Sequence, residues 1–519
     1  MTHRPLITIV TPVYNPPLKE FRQCIQSVLG QSDENWQWCI TDDGSKKPAL
    51  REIQALESDQ RVSFRRLESN VGIAEATNDA ILRATGDFIA FLDQDDELAT
   101  HALQTFSQAI ADAPDSDVLY SDEDKIDIRG NHYDVFRKPD WSPERLRHQN
   151  FLNHLTVIRR ELITTVGLLN PELDGSQDYD LVLRASEKAR RITHIPAVLY
   201  HWRAIGTSIA SNPDAKPEAH NAAAKAVSDH LSRLEIKAEV GLHQKNFYVT
   251  VKRALSKNPR TSILIPSCGS MANIHGKNVV LVENCVESIL SLSTYSNYEI
   301  IVILDSFCPD STRSFLLNRD PGRLRVVDFN NEFNFSAKIN LGAVEATGEV
   351  LIPLNDDTKV VTDSWLEELL VYLEDDDVGV SAPLLLLENG LIQSAGHFFR
   401  HGAHHFAPGL PVGTLGYGGL LTFPAERSGI TFACAAIKRS VYEEVGGLSE
   451  RFPRSFNDVD FCNKVRKFGY RIIWTPQSVL YHFESLTRDP KVHFSEVEQL
   501  YGRWGHLLSM PDEYLADVS

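Results

Sequence analysis

Two stretches of this chain are copies of one another, and that copy constrains the architecture more than any other feature. Residues 84 to 98 read ATGDFIAFLDQDDEL, and residues 346 to 360 read ATGEVLIPLNDDTKV. The match extends back through TNDAILRATGD (77 to 87) on INLGAVEATGE (339 to 349), so Gly86 falls on Gly348, Asp93 on Asn355 and Asp95 on Asp357. Further on, VGLLNPELDGSQDYD (166 to 180) falls on VGGLSERFPRSFNDVD (445 to 460), which pairs Asp178 with Asp458. IPAVLYH on TPQSVLYH pairs His201 with His482. A repeat of this length denotes two copies of a domain, since solenoid repeats span only about 20–50 residues. A chain of 519 residues has room for both cores. The expected division is a first domain over 1–240, a linker over 241–260 and a second domain over 261–519. The separation of matched residues grows between the acidic stretch and Asp458, which places an insertion of the second copy in the Gly- and His-rich region from about 385 to 430.

Each copy alternates short apolar runs with helical periodicity. LITIV (6 to 10) and WQWCIT (36 to 41) are strand candidates, with helices expected over 18–29 and around 47–57, and a short strand near 62–67. A helix carrying Ile73, Ala76, Ala80 and Ile81 leads into the apolar run Phe88 to Leu92. The second copy restarts with SILIP (262 to 266), the helix around CVESILSL and the strand YEIIVILD, which ends at Asp305. This order predicts an α/β fold with a largely parallel sheet. The segment Leu119 to Lys125 is polar and is expected to be a strand end with a loop, and 236–252 extended linking structure.

The acids give the repeat its chemistry. Phe88 to Leu92 is too short and too β-prone for a helix, and it ends in DQDDE. In open α/β sheets ligands lie beyond the carboxyl ends of strands, and closely spaced carboxylates there suit a hard divalent cation that also holds phosphate oxygens. Alone, the stretch would read as a solvated acidic turn. Its recurrence at 355–357 makes it a candidate site. A formal net charge of -18 argues against a nucleic-acid partner. The seven cysteines are scattered and form no CxxC, so neither a disulfide framework nor a zinc ribbon is expected, and a reducing cytoplasm fits. MTHRPLITIV has no signal-peptide pattern and no run approaches the roughly 18 apolar residues of a span, so membrane association is expected only as peripheral docking at the inner face of the cell membrane.

Taken together, TPVYN, DDGS, NVGIAEATNDAI, FLDQDDEL, YSDEDKID, KPDWSPE, GSQDYDLVLR and VLYHWR in the first half, and ILIPS, FNFSAKINLGA, PLNDDTKV, QSAG, FNDVDFC and WTPQSVLYHFES in the second, resemble family 2 glycosyltransferases of the GT-A fold. The pairing is similar to bacterial tandem enzymes that build O-antigen, capsule or related surface polysaccharides. The resemblance implies two tandem GT-A domains, each Rossmann-like with a mostly parallel central sheet. It implies a bifunctional, inverting hexosyl- or deoxyhexosyltransferase with UDP-, dTDP- or GDP-sugar donors, Mg2+ or Mn2+, and a lipid-linked or oligosaccharide acceptor. It also implies roles for residues. Asp178 and Asp458 would be the catalytic bases, and Asp95 with His201, and Asp357 with His482, the metal ligands. Pro12, Tyr14, Asn15, Asp42, Asp43, Asn78 and Asp93 would bind nucleotide sugar in the first half; Pro266, Asp305, Lys338, Asn340, Asn355 and Asp356 would do so in the second.

Each role has a plainer rival. Asp42 and Asp43 suit an Asp-Gly turn, Asp178 a helix N-cap, Lys338 an exposed helix face, and a lone histidine a structural position. His397, His401, His404 and His405 are spaced unlike structural zinc ligands and read as an acceptor-facing loop. The second half departs from the pattern: Ser306-Phe307 follow Asp305 where DGS is expected, and Asn355 replaces an acid. Gln177 stands where an acid is commoner in the first half. The alternative reading is therefore one catalytic half beside a half that only binds glycan or donor. A nucleotidyltransferase would need a Gly-rich phosphate loop after the first strand, where this chain has TPVYNPP.

Overall fold

ITIVTPV is buried along nearly its whole length, the mark of a central strand covered on both faces. The computed structural model describes residues 7–46, 49–54, 56, 58–204, 217–243, 248–483 and 492–515. In it Ile7–Val13 lies parallel between Trp36–Asp42 and Phe88–Phe91. The first sheet runs Val62–Arg66, Trp36–Asp42, Ile7–Val13, Phe88–Phe91, Thr156–Arg159, Val118–Ile126, Ile192–Arg203, Glu97–Leu98, with His132–Phe136 paired beside Val118–Ile126. The second runs Leu324–Phe329, Tyr298–Asp305, Thr261–Ser267, Val350–Pro353, Ala436–Lys438, Val378–Leu386, Arg471–His482, Thr358–Val360. The order is the same strand for strand, so the copy in sequence is a copy in topology. Both sheets are parallel at the core and turn antiparallel at Thr156–Arg159 and Ala436–Lys438, giving each half the expected α/β class.

Helices cover both faces of the first sheet. Leu18–Leu29 buries Phe21, Cys24, Ile25 and Val28 against one face, and Ile73–Leu82 buries Ala74, Ala80 and Ile81 beside Val10, Cys39 and Ile89 on the other. The ATG turn before the fourth core strand recurs because its glycine touches backbone: a Cβ on Gly348 would lie 2.7 Å from the carbonyl oxygen of Arg260 and the amide nitrogen of Ser262. All seven cysteines are free thiols.

The chain divides into units Met1–Arg253 and Ala254–Ser519. The stretch expected as a linker is in part structure of the first unit: Ala238–Leu242 and Val249–Arg253 form an antiparallel hairpin, with Val249 and Val251 buried in that unit's core. Val118–Ile126 is the second correction, a continuous strand through Ser121, Asp122, Glu123 and Asp124. Polarity argued for a loop there, but every acid is paired in the fold. Asp122 accepts from the Lys138 amide at 2.9 Å, Glu123 lies 3.6 Å from Lys138 Nζ, and Asp124 lies 2.6 Å from His201 Nδ1. Burial of charge is tolerated where partners meet it. The inserted region of the second unit folds as short strands, Ile392–Ser394, His397–Phe399, Ala403–His405 and Ala425–Glu426.

Candidate active sites

In the first unit the acidic stretch leaves the carboxyl end of Phe88–Phe91 beside the end of Ile7–Val13, with the Leu92 amide donating to the Val10 carbonyl at 3.1 Å. Gln94 accepts from the Tyr14 amide at 2.9 Å, which ties the two loops together. Between them is a cavity of about 270 Å³ lined by Pro12, Tyr14, Asp43, Asp93 and Asp95. A second cavity, of about 90 Å³, is lined by Pro12, Asp93, Asn153, His154, Gln177 and Asp178. The two share Pro12, Ile73 and Asp93 as walls. Residues predicted from distant motifs thus meet on adjoining cavities.

Electrostatics distinguish the acids. Burial, then repulsion from Asp93, raises the Asp95 carboxyl to about 6. A carboxylate disfavoured by burial and a like charge is one that a cation relieves. Asp96 has no such opening: it is buried and accepts from Tyr200 Oη at 2.5 Å and the Arg203 amide at 2.7 Å. Burial raises Asp178 as well, opposed by the positive charge of His154 and the Tyr179 amide. Asn153 Nδ2 donates to its Oδ2. The carboxyl end of one strand and the first turn of Gln177–Ser186 therefore place two desolvated carboxyls, Asp95 and Asp178, around contiguous space.

Several predicted ligands make contacts within the fold. Asp42 is fully buried, accepting from the Ser45 amide at 3.0 Å with Arg66 Nε 3.5 Å away. Asn15 pins the loop after the first strand: its amide donates to Ser45 Oγ at 2.8 Å and its Oδ1 accepts from the Lys46 amide at 2.9 Å. Asn78 clamps the backbone of Leu169, donating to its carbonyl and accepting from its amide at 2.9 Å each. Asn340 makes the same clamp on Leu448, at 3.0 Å each. A side-chain amide can donate to and accept from one loop peptide at once, and each asparagine uses this to hold the loop in place. Asn78→Ala and Asn340→Ala should each cost about 1–3 kcal/mol in urea unfolding while leaving donor KM unchanged. A raised KM at full stability would return these residues to the ligand site.

The histidines also part company. His201 Nδ1 meets Asp124 at 2.6 Å, and its ring lies 4.4 Å from that of His132. The ligating atoms of Asp124, His132 and His201 lie within 4.8 Å of one another. In the second unit His482 Nε2 is 3.3 Å from Asp357 Oδ1 and accepts from Asn355 Nδ2 at 3.3 Å. Its Nδ1 donates to Gln393 Oε1 at 2.8 Å. Register explains the difference. His201 stands opposite Glu97, whereas His482 stands opposite Thr358, the residue matched to Asp96. A slip of one residue turns successive side chains to opposite faces.

The rest of the second site is more closed. Asp305, matched to Asp43, is buried and forms an ion pair with Lys338 Nζ at 2.7 Å, so Lys338 is a core lysine and not an exposed one. Asp356 accepts from Ser267 Oγ at 2.6 Å, and burial with Asp357 beside it raises its carboxyl to about 7. Pro266 is buried beside Ile303, the register position that Pro12 holds beside Thr41. Burial raises Asp458, which accepts from the Val459 amide at 2.8 Å and feels the charge of His405. His405 in turn lies against His397, rings 4.7 Å apart, so one of the four loop histidines reaches Asp458 and a second packs on it. Sequence reasoning passed over His154, Asn153 and Gln393. Nothing in the repeat marks them: the strand register puts Phe432 and Ala433 where the first half has Asn153 and His154.

A family model described as glycosyl transferase family 2 matches residues 8–163 and again 262–446. The uncharacterized protein y4gI of Sinorhizobium fredii is 36% identical over 96% of this chain and 56% of its own length. The O-antigen biosynthesis protein RfbC of Myxococcus xanthus is 34% identical over 94% of this chain and 38% of its own. Chondroitin synthase of Escherichia coli is 30% identical over 45% of this chain and 34% of its own. The chain thus spans about half, or less, of the length of these relatives.

Proposed function

Because the chain belongs to glycosyl transferase family 2 in both of its halves, we propose that it is a bifunctional inverting glycosyltransferase acting on a growing surface polysaccharide or lipid-linked oligosaccharide. Each half takes a UDP-, dTDP- or GDP-sugar. The observation that carries the reading is the shared wall: the cavity of the acid pair and the cavity of the base adjoin at Pro12 and Asp93. A donor lying with its nucleotide among Tyr14, Asp43 and Asp95 would bring its anomeric carbon toward Asp178. Likeness to proteins named for O-antigen biosynthesis and chondroitin synthesis supports the acceptor class.

In the first half Asp178 accepts the acceptor hydroxyl's proton while that oxygen forms a bond to the anomeric carbon, and the bond to the diphosphate oxygen breaks on the opposite face. A single displacement inverts the configuration. Asp458 does the same in the second half. Mg2+ or Mn2+ would be held by Asp95 in the first half and by Asp357 with His482 in the second, supplying charge neutralisation at the departing diphosphate. Asp95, raised by burial and by Asp93, and the carboxylate-imidazole contact at 3.3 Å are donor sets that fit such an ion. No helix among the described residues is long and apolar enough to cross a membrane. In this reading the protein works in the cytoplasm and meets lipid-linked acceptors by peripheral docking.

Incubation with UDP-, dTDP- and GDP-sugars and lipid-linked acceptors, with mass analysis of products, tests the assignment; no transfer from any donor would refute it. One observation favours the alternative in which the second half only binds. Lys338, paired with Asp305, stands at the position of Ala76 on the wall of the first half's larger cavity. Transfer abolished by Asp178→Asn and untouched by Asp458→Asn would select that alternative.

The bases also set a pH dependence. A protonated carboxyl cannot accept a proton, and burial raises Asp178 despite His154, and Asp458 despite His405. The acid limb of kcat/KM should therefore lie above the usual carboxylate range of about 4. A pH profile flat down to that range would remove both residues from the base role.

A further inference from the structure

The two halves differ at the acid pair in a linked way. In the first, Asp93 Oδ2 lies 3.9 Å from His154 Nε2. In the second, Asn355 replaces that acid and Ala433 stands at the register position of His154. Acid and imidazole are present together or replaced together. The second half brings its histidine from another strand: His482 turns Nε2 to Asp357, and its Nδ1 hydrogen is engaged by Gln393. Nε2 and a carboxylate oxygen thus lie side by side while an outer partner fixes the ring at Nδ1, as metal-binding histidines are held.

His154 is built the opposite way. Its ring lies between Asp93 and Glu123, with Nδ1 3.5 Å from Glu123 Oε2, and it stacks on Tyr200 with centroids 4.9 Å apart. Its amide donates to Glu123, and Lys138 lies behind that acid. The charged groups around the ring are thus Glu123, Asp93, Asp96 and Asp178, with Lys138 beyond. Burial alone would lower the imidazole, but Glu123, then Asp93 and Asp96, hold it up at about 9. A ring with a carboxylate near each nitrogen offers protons and no lone pair.

Resting on the reading of two donor sites given above, we propose that the two sites bind divalent cations unequally: the second tightly, through Asp357 and His482, and the first weakly, with the His154 imidazole standing in for part of the cation's charge before the donor phosphates. His154 would then be a specificity element absent from the second half, and the two sugar additions would respond differently to metal supply.

The test is a Mn2+ titration of the full chain followed by electron paramagnetic resonance, in a His132→Ala background that takes apart the Asp124–His132–His201 group. Two classes of site about 10–100-fold apart are expected, the size of effect that outer partners have on metal affinity. Asp357→Ala or His482→Gln should remove the tight class and Asp95→Ala the weak one. His154→Gln should tighten the weak class, and so should Glu123→Gln, which removes the acid behind the ring; circular dichroism checks that each variant is folded. Equal affinities, a tight class that survives Asp357→Ala, or a weak class unmoved by both His154→Gln and Glu123→Gln would overturn the inference. Calorimetry with UDP, dTDP and GDP separates the two levels. Loss of all nucleotide binding refutes the glycosyltransferase reading, whereas equal Mn2+ sites with nucleotide binding intact refute only the inequality.

Discussion

Asp178→Asn and Asp458→Asn are each expected to slow one of two sugar additions by about 10²–10⁴-fold, the usual contribution of a positioned general base, and together to suppress both. The substitution keeps shape and removes basicity. The new carboxamide oxygen at position 178 would still accept from the Tyr179 amide, as Asp178 Oδ1 does at 2.7 Å, and the one at position 458 from the Val459 amide. Helix starts and loop positions should survive, so donor KM and the unfolding midpoint should stay near those of the parent. Quantifying each addition by mass analysis checks this. Undiminished transfer by the double variant would remove both carboxylates from the mechanism.

The second large effect is on stability. Lys338→Met should destabilise the second unit by about 3–5 kcal/mol, because it strands Asp305 as a buried charge. The pair is 2.7 Å apart, with side chains only 1% and 5% exposed, and the Lys338 charge also reaches Asp356. Replacing both partners, as Lys338→Met with Asp305→Leu, should recover most of the loss, since an apolar pair leaves no orphaned charge. Urea unfolding of the single and double variants measures the difference. A Lys338→Met protein as stable as the parent, with weakened donor binding, would instead make the lysine a phosphate contact.

The positions of the motif acids were legible because each lies at a strand end or in a helix's first turn, where local sequence sets the exit. Asp93, Asp95 and Asp178 accordingly line the adjoining cavities. The contacts that Asn15, Asn78 and Asn340 make within the fold were not legible, because each side chain bonds a peptide group that only the folded chain brings close. The same holds for SDED at 121–124, whose charges look solvated until Lys138, His194 and His201 arrive from other elements.

By itself the sequence determined that this protein is two copies of one α/β domain and where in each copy the acids fall, because a repeat carries strand order with it and hydrophobic periodicity is a local property. Only the tertiary structure decided which histidine meets those acids. That choice turns on a one-residue difference in the pairing of Glu97–Leu98 and Thr358–Val360 with the strands that end near His201 and His482, and cross-strand register is set by packing among distant segments.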